Sequence, residues 1–268
     1  MRPRLVVLLE PWLGSLAALV VPSYAVMLVL GSLLAAIVIV DEARRVGFSR
    51  RDSLAVLSVA YACGLLGACA VPVVQGVFVW SERGHFVAPT GMAAYGGLIG
   101  GVAGGSVVLS RMRRSIWTFL DASAPAVGLG YFFARLGCFS AGCDYGQITT
   151  SRLAVTFPAG SYAFRDHVAS GALSPDAAAS LPVHPTQLYA ALSGVVLYFA
   201  LGAMPRVGDG RRFVVLVIGY GVARSVIELF RGDASRGHIG ALSTSQMLAV
   251  VTVLVTLAAW RHARVRSA

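Results

Sequence analysis

The chain has no lysine: all 22 of its basic residues are arginine. Arginine identity alone therefore carries no evidence of anion recognition, and position has to supply that argument. Charge of either sign is scarce, at 13% against 57% hydrophobic residues, which excludes an ordinary soluble domain. Only four cysteines occur, and His184 is the one obvious further ligand for the pair at 138 and 143. No metal site and no cofactor are expected from so few ligands. Nor do the hydrophobic segments repeat internally, which removes the main argument for a transporter.

What is present is a series of apolar runs of roughly 20 residues, long enough to cross a bilayer core of about 30 Å. Seven are read, at 22–40, 53–80, 92–110, 115–137, 186–204, 213–231 and 242–260; the second is long enough to tilt or to leave the membrane. At the N-terminus, Arg2 and Arg4 precede an apolar run in the manner of a signal peptide, but Glu10 and Pro11 interrupt it. Residues 5–20 are expected to lie along the interface. The fold class is thus an all-α integral membrane protein of about seven spans, one membrane-embedded domain over 1–268. A small external subdomain is expected at 138–185, between the fourth and fifth spans.

Orientation follows from the connectors 41–52, 110–115 and 205–212 and the tail 261–268, which together hold 13 arginines. They alternate along the chain, so all four fall on the cytoplasmic side. The N-terminus is then outside and the C-terminus inside. The net charge of +10 reflects this topology, and nucleic acid is not an expected partner.

With that orientation, unusual residues from five segments gather in the outer leaflet. Tyr24 opens the first span, "AYGGLIGG" (94–101) the third and "HPTQLY" (184–189) the fifth; Arg135 closes the fourth, and "YGVARSVIELFRGD" (220–233) the sixth. Arg224 and Glu228 are four apart and share a helix face, with Arg231 seven beyond Arg224. Intramembrane charge costs about 2.5–3.5 kcal/mol on insertion scales, so these residues need a partner or a wet cavity. Either a packing ion pair or an arginine aimed by Glu228 at a phosphate fits the spacing.

Other residues keep two readings. Tyr24, Tyr95 and Tyr189 suit an interfacial aromatic belt as well as a site. Gly96, Gly100 and Gly104, with Gly97, Gly101 and Gly105, have the spacing of close helix packing. Gly96 and Gly97 also open a helix, where free N–H groups would meet a lipid phosphate. Asp121 and Pro125 fall in the inner half of the fourth span, as a local cap, kink or pair. In the 138–185 connector, Arg152, Arg165 and His167 are expected at a solvated surface. Cys63 and Cys69 read as packing residues. Cys138 and Cys143, outside the membrane, are spaced for a disulfide without requiring one.

Together "ARLGCFSAGCDYG" (134–146), "HPTQLY", "YGGLIGG" and "YGVARSVIELFRGD" resemble the prolipoprotein diacylglyceryl transferase family, from about Tyr24 to Met247. The resemblance implies an enzyme of the bacterial inner membrane. It would move a diacylglyceryl group from phosphatidylglycerol to the lipobox cysteine in the signal peptide of a preprolipoprotein. A thioether forms and glycerol phosphate leaves. Membrane lipid and signal peptide are the implied partners. Arg135 and Arg224 match phosphate-handling arginines, Glu228 an acidic partner, and Tyr24 a functional tyrosine. The matched motifs also put Gly96, Gly97, Gly137, Gly142, Gln187, Tyr189 and Arg231 at the substrate. The chain departs from the family pattern at four places. Tyr95 stands for a histidine proposed as base, Cys138 for an asparagine, Ala190 for an acid and Ala25 for a glycine. His184 is the alternative base, since an ordinary phenol titrates near 10. A divergent phospholipid-binding paralogue with another acceptor, or with no activity, is the competing expectation.

Overall fold

The computed structural model describes residues 23–83, 94–232, 238–239 and 242–267. The segment 5–20 lies outside the described residues. Among those described, the chain forms eight helices. These are α1 Ser23–Arg45, α2 Arg50–Arg83, α3 Ala94–Arg111, α4 Ile116–Ala141, α5 Tyr162–Ala169, α6 Thr186–Ala203, α7 Arg211–Glu228 and α8 Thr244–Ser267. A two-residue antiparallel ladder, β1 His238–Ile239 with β2 Leu242–Ser243, precedes α8.

Each expected span coincides with a helix: α1 to α4, then α6 to α8. Four contain stretches long and apolar enough to cross a membrane, namely Ser23–Arg45, Arg50–Ala70, Thr186–Ala203 and Ser245–Val265. The other three are diluted for visible reasons. Six of the 18 residues of α3 are glycine, α4 carries Asp121, Pro125 and Arg135, and α7 holds Arg211, Arg212, Arg224 and Glu228.

The described residues divide into two compact units. The smaller comprises 39–122 and 206–209. There α2 and α3 pack through their glycines: a methyl on Gly64 would meet the Gly97 carbonyl at 3.2 Å, and one on Gly104 the Cys63 sulfur at 2.6 Å. Gly96 and Gly97 belong to this contact. The packing reading of the glycine stripes therefore holds, with backbone against backbone. At one end of the unit Ala43, Phe48, Val56, Leu109, Phe119 and Ala122 form a buried cluster. Three basic connectors meet around it. Arg114 donates to the Gly47 carbonyl and lies 4.8 Å from the Phe48 ring centroid, while Arg206 grips the buried Glu42 with bonds of 2.8 and 3.0 Å.

The larger unit comprises 1–38, 123–205 and 210–268, of which the residues named above are described. Gly128 of α4 and Gly194 of α6 face each other, each leaving no room for a Cβ against the other's carbonyl, at 2.8 and 2.7 Å. Arg212, buried at the start of α7, donates twice to the Leu201 carbonyl at 2.9 and 2.6 Å, adding to the bond of 3.2 Å that this carbonyl accepts from the Met204 amide at the end of α6.

The segment 142–185 builds its own small core from Tyr145, Phe157, Ala163 and Val183. Isolated bridges join Ile148 and Val155 to Val183, and Pro158 to Ala179. Ser161 caps α5 by accepting from the Phe164 amide at 3.2 Å. Arg152 and Arg165 are exposed, as expected, with Arg165 stacked on Tyr162. His167 is not: it is 6% exposed and accepts from the Leu181 amide at 3.2 Å through Nδ1. The folded-back segment covers it, and burial lowers its pKa below the ordinary value, against the opposing pull of Asp166.

Candidate active site

The chain stops α4 with a left-handed glycine. Gly142 has φ +71°, the Gly142 amide bonds to the Phe139 carbonyl at 3.2 Å, and the Cys143 amide reaches back to the Cys138 carbonyl at 3.2 Å. This pair of bonds is the Schellman motif. The next residue, Asp144, also takes a positive φ of 59°, uncommon for a side chain larger than hydrogen. The Thr186 hydroxyl donates to the Asp144 carbonyl at 2.7 Å and the Gln187 amide to the Cys143 carbonyl at 2.7 Å, so the "HPTQLY" segment pins this strained turn.

The turn presents Asp144 to two arginines. Arg135 bonds Oδ2 at 2.7 Å, and Arg231 bonds Oδ1. Asp144, the carboxylate that both arginines share, is the residue of this cluster that sequence reasoning misses. Its signal is an acid nine residues after Arg135, inside a stretch that already stands out. Burial alone would raise its pKa; the guanidiniums of Arg231 and Arg135 overcome that and hold it at about 2.

Arg224 is held separately, by Glu228 at 2.9 Å and by the Ser245 hydroxyl at 3.0 Å, with both members of the ion pair largely shielded. The expected helix-face pairing of Arg224 with Glu228 is thus present. Arg135 shares its carboxylate with Arg231. The Arg135 guanidinium lies 4.9 Å above Tyr131, and Arg224 also acts electrostatically on that ring. Tyr220, one turn before Arg224, meets Tyr131 edge to face.

Backbone pairing gathers the remaining motifs. The Gly146 amide donates to the His184 carbonyl at 2.9 Å, Gln147 to Phe230 at 2.8 Å, and His184 to Gln147 at 3.0 Å. Only glycine fits at 146: a Cβ would meet His184 at 2.6 Å and the Phe230 carbonyl at 2.7 Å. The His184 ring faces Phe230 at 5.3 Å, and its Nδ1 pairs with the Tyr189 hydroxyl at 3.2 Å. Tyr24 packs on Gly137, where a Cβ would come within 3.0 Å of its ring, and lies in the field of Arg135 and Asp144. Gln187 is buried, and its Oε1 has no hydrogen-bond partner among the described residues.

Cys138 and Cys143 are free thiols. The Cys138 thiol donates to Asp144 Oδ2 at 3.6 Å and the Cys143 thiol to the Cys138 carbonyl at 3.7 Å. Interaction with the Cys138 thiol lowers the pKa of Cys143. With Asp144 they set three donor atoms within 4.8 Å of one another. That carboxylate already carries two guanidiniums, which opposes a cation there.

Tyr95, Gly96 and Gly97 belong to the smaller unit, in the first turn of α3. The Tyr95 side chain lies outside the described residues. Of the expected site residues, then, the larger unit gathers Arg135, Arg231, Gly137, Gly142, Gln187 and Tyr24 around the Asp144 turn. His184 with Tyr189, and Arg224 with Glu228, flank it.

This arrangement provides several fixed cations beside an aromatic floor, suited to a lipid phosphate. Residues 11–261 match the family model described as prolipoprotein diacylglyceryl transferase. A phosphatidylglycerol–prolipoprotein diacylglyceryl transferase of Clostridium tetani is 29% identical over 251 residues, covering 92% of this chain and 95% of the relative. A second, from Clostridium perfringens, is 26% identical over 90% of this chain and 91% of its own length. One from Treponema denticola reaches 34% identity over 63% of this chain and 60% of the relative.

Proposed function

The chain belongs to the prolipoprotein diacylglyceryl transferase family, and from that premise we propose that it moves a diacylglyceryl group from phosphatidylglycerol to the lipobox cysteine of preprolipoproteins. The substrate sulfur attacks the glycerol carbon bonded to the phosphate oxygen. The carbon–sulfur bond forms, the carbon–oxygen bond breaks, and glycerol phosphate leaves carrying the electron pair. The thiol proton must go to a base, or to solvent through one.

The observation that carries this reading is the Arg135–Asp144–Arg231 bridge. Charge grows on the phosphate oxygen as the bond breaks, and fixed guanidiniums stabilise that charge most in the transition state. Arg135, Arg224 and Arg231 set against Asp144 and Glu228 leave one net positive charge, the complement of a phosphodiester anion. Asp144 holds two of the arginines in place before lipid arrives, so little reorganisation is left for the reaction. Tyr24 and Gly137 close the α1 side of the site, Gly142 sets its turn, and the buried Gln187 Oε1 accepts from a head-group hydroxyl. Gly96 and Gly97, at the start of α3, offer backbone N–H groups to lipid.

His184 is the proposed base. It is the histidine backbone-paired to the arginine turn, and Tyr189 on Nδ1 fixes its orientation. A catalytic part for Tyr95 is proposed from the family resemblance alone, which puts a histidine at its position.

All seven long helices span the bilayer in this reading, with the 138–185 segment external, the N-terminus outside and the C-terminus cytoplasmic, in the inner membrane of a bacterium. The meeting of three arginine-rich connectors around Phe48 supports one shared cytoplasmic side. Exposed apolar side chains along the less hydropathic helices support lipid contact there too: Ile99 on α3, Val127 on α4 and Val222 on α7.

The test is restoration of lipoprotein thioether formation in cells depleted of their own transferase, paired with transfer by purified protein from phosphatidylglycerol vesicles to a lipobox peptide. Tight phosphatidylglycerol binding without thioether product would favour the divergent lipid-binding paralogue instead.

A further inference from the structure

We propose that Cys138 and Cys143 are a redox-responsive thiol pair, and that their conversion to a disulfide weakens anion capture by the adjoining arginines. The pairing is a product of the helix stop. In a Schellman motif the residue three from the helix end and the one just past the left-handed residue are brought into contact. The chain uses this stop repeatedly. Amide bonds of the same pattern join Phe48 to Ala43, Arg114 to Leu109 and Ala172 to His167. At the end of α4 the two contact positions are both thiols, and their sulfurs lie within 4.8 Å of each other. An S–S bond of about 2.05 Å is then reached by side-chain rotation and a small turn adjustment.

The pair is also wired to the site. Cys138 donates its S–H to Asp144 Oδ2, the same oxygen that Arg135 holds at 2.7 Å. Oxidation removes that donor, since the sulfur of a disulfide has no proton. Oδ2 is left to Arg135, which binds it more tightly and is less available to a phosphate. Closing the bond also draws on the Cys143 carbonyl, the acceptor of Gln187.

The oxidant is a small-molecule or protein disulfide. The more exposed Cys143, as thiolate, attacks one sulfur of RS–SR; that bond breaks, a mixed disulfide forms and RS⁻ leaves. Cys138 then attacks the Cys143 sulfur, giving the internal disulfide and a second RS⁻. The protein loses two electrons and two protons, and RS–SR becomes two RSH. The outward face proposed above is where such an oxidant is available, so the physiological setting rests on that reading while the bond itself does not.

Full-length protein in lipid nanodiscs is equilibrated with glutathione disulfide, free thiols are alkylated, and peptides are mapped by mass spectrometry. Phosphatidylglycerol binding and lipobox-peptide transfer are measured on the same samples. The expected result is a Cys138–Cys143 linked peptide and binding weakened by about five-fold, the effect of roughly one hydrogen bond, both reversed by dithiothreitol. Cys143→Ser should lose the response to oxidant. Redox-sensitive lipid binding with no transfer in either state would sustain the thiol pair and sink the transferase reading. Absence of the linked peptide, linkage through Cys63 or Cys69, or unchanged lipid binding in the linked form overturns the proposal.

Discussion

Tyr131 and Tyr220 meet edge to face across α4 and α7, ring centroids 5.3 Å apart, and each lies one helical turn before an arginine of the site. The contact ties α4 to α7 one turn before Arg135 and Arg224, and the Arg135 guanidinium lies over the Tyr131 ring. An edge-to-face pair contributes about 0.5–1.5 kcal/mol beyond its buried area.

Arg135 and Arg231 share one carboxylate and, in the proposed mechanism, one phosphate. Replacing either by alanine should lower lipid transfer on the order of 100-fold or more. Lysine keeps the charge but loses the planar fork, and should cost less than alanine without matching arginine. A double-mutant cycle on purified protein should be non-additive. Additive losses, or wild-type transfer by Arg135→Ala, would mean that the two do not act on one group.

Asp144 sets a pH dependence. Its folded-state pKa of about 2 lies below the ordinary 3.8, so its contribution to stability is fully present above that ordinary value and is lost as pH falls through 2. Thermal melting of the wild type should therefore show an acid-side loss between about pH 4 and 2 that Asp144→Asn lacks. Identical acid-side slopes for the two proteins would remove the carboxylate from the argument.

Two glycines should separate packing from propensity. Gly146→Ala pushes a methyl against His184 and the Phe230 carbonyl, and should destabilise by about 1–3 kcal/mol. A methyl added at Gly202 in α6 would meet nothing within 4 Å, and alanine there should be neutral or stabilising by up to about 1 kcal/mol. Melting temperatures in one detergent would check the pair; equal shifts would contradict the account of Gly146.

Topology is open to reporter fusions. One placed after Arg113 or after Asp209 should read cytoplasmic, and one inserted near Pro175 should read external. The opposite pattern would put the arginine turn at the inner leaflet and overturn the lipoprotein assignment.

The helices are legible in the sequence because their cause is local. Apolar length, glycine spacing and the four-residue step from Arg224 to Glu228 all act within one element. What escapes the sequence depends on residues brought together by the turn after α4. Asp144 becomes a shared counter-ion only because its backbone turns left-handed and the "HPTQLY" segment fastens it there. His167 has the look of a surface histidine in a polar stretch, and only the return of 178–183 over α5 buries it. Arg231, seven residues from Arg224, would share its face in a continuous helix; α7 ends at Glu228, so Arg231 follows a different path and reaches Asp144.

The hydrogen bonds through Gly146 and Gln147 tie three stretches that are far apart in the chain. A knot of that kind cannot loosen one strand at a time. When the stretch around Phe230 lets go, Gln147 loses its acceptor and Arg231 is carried away from Asp144 in the same event. Partial loosening thus yields molecules whose charge cluster is dismantled rather than merely softened. Heat inactivation should then follow the melting of this patch, leaving few molecules of intermediate competence.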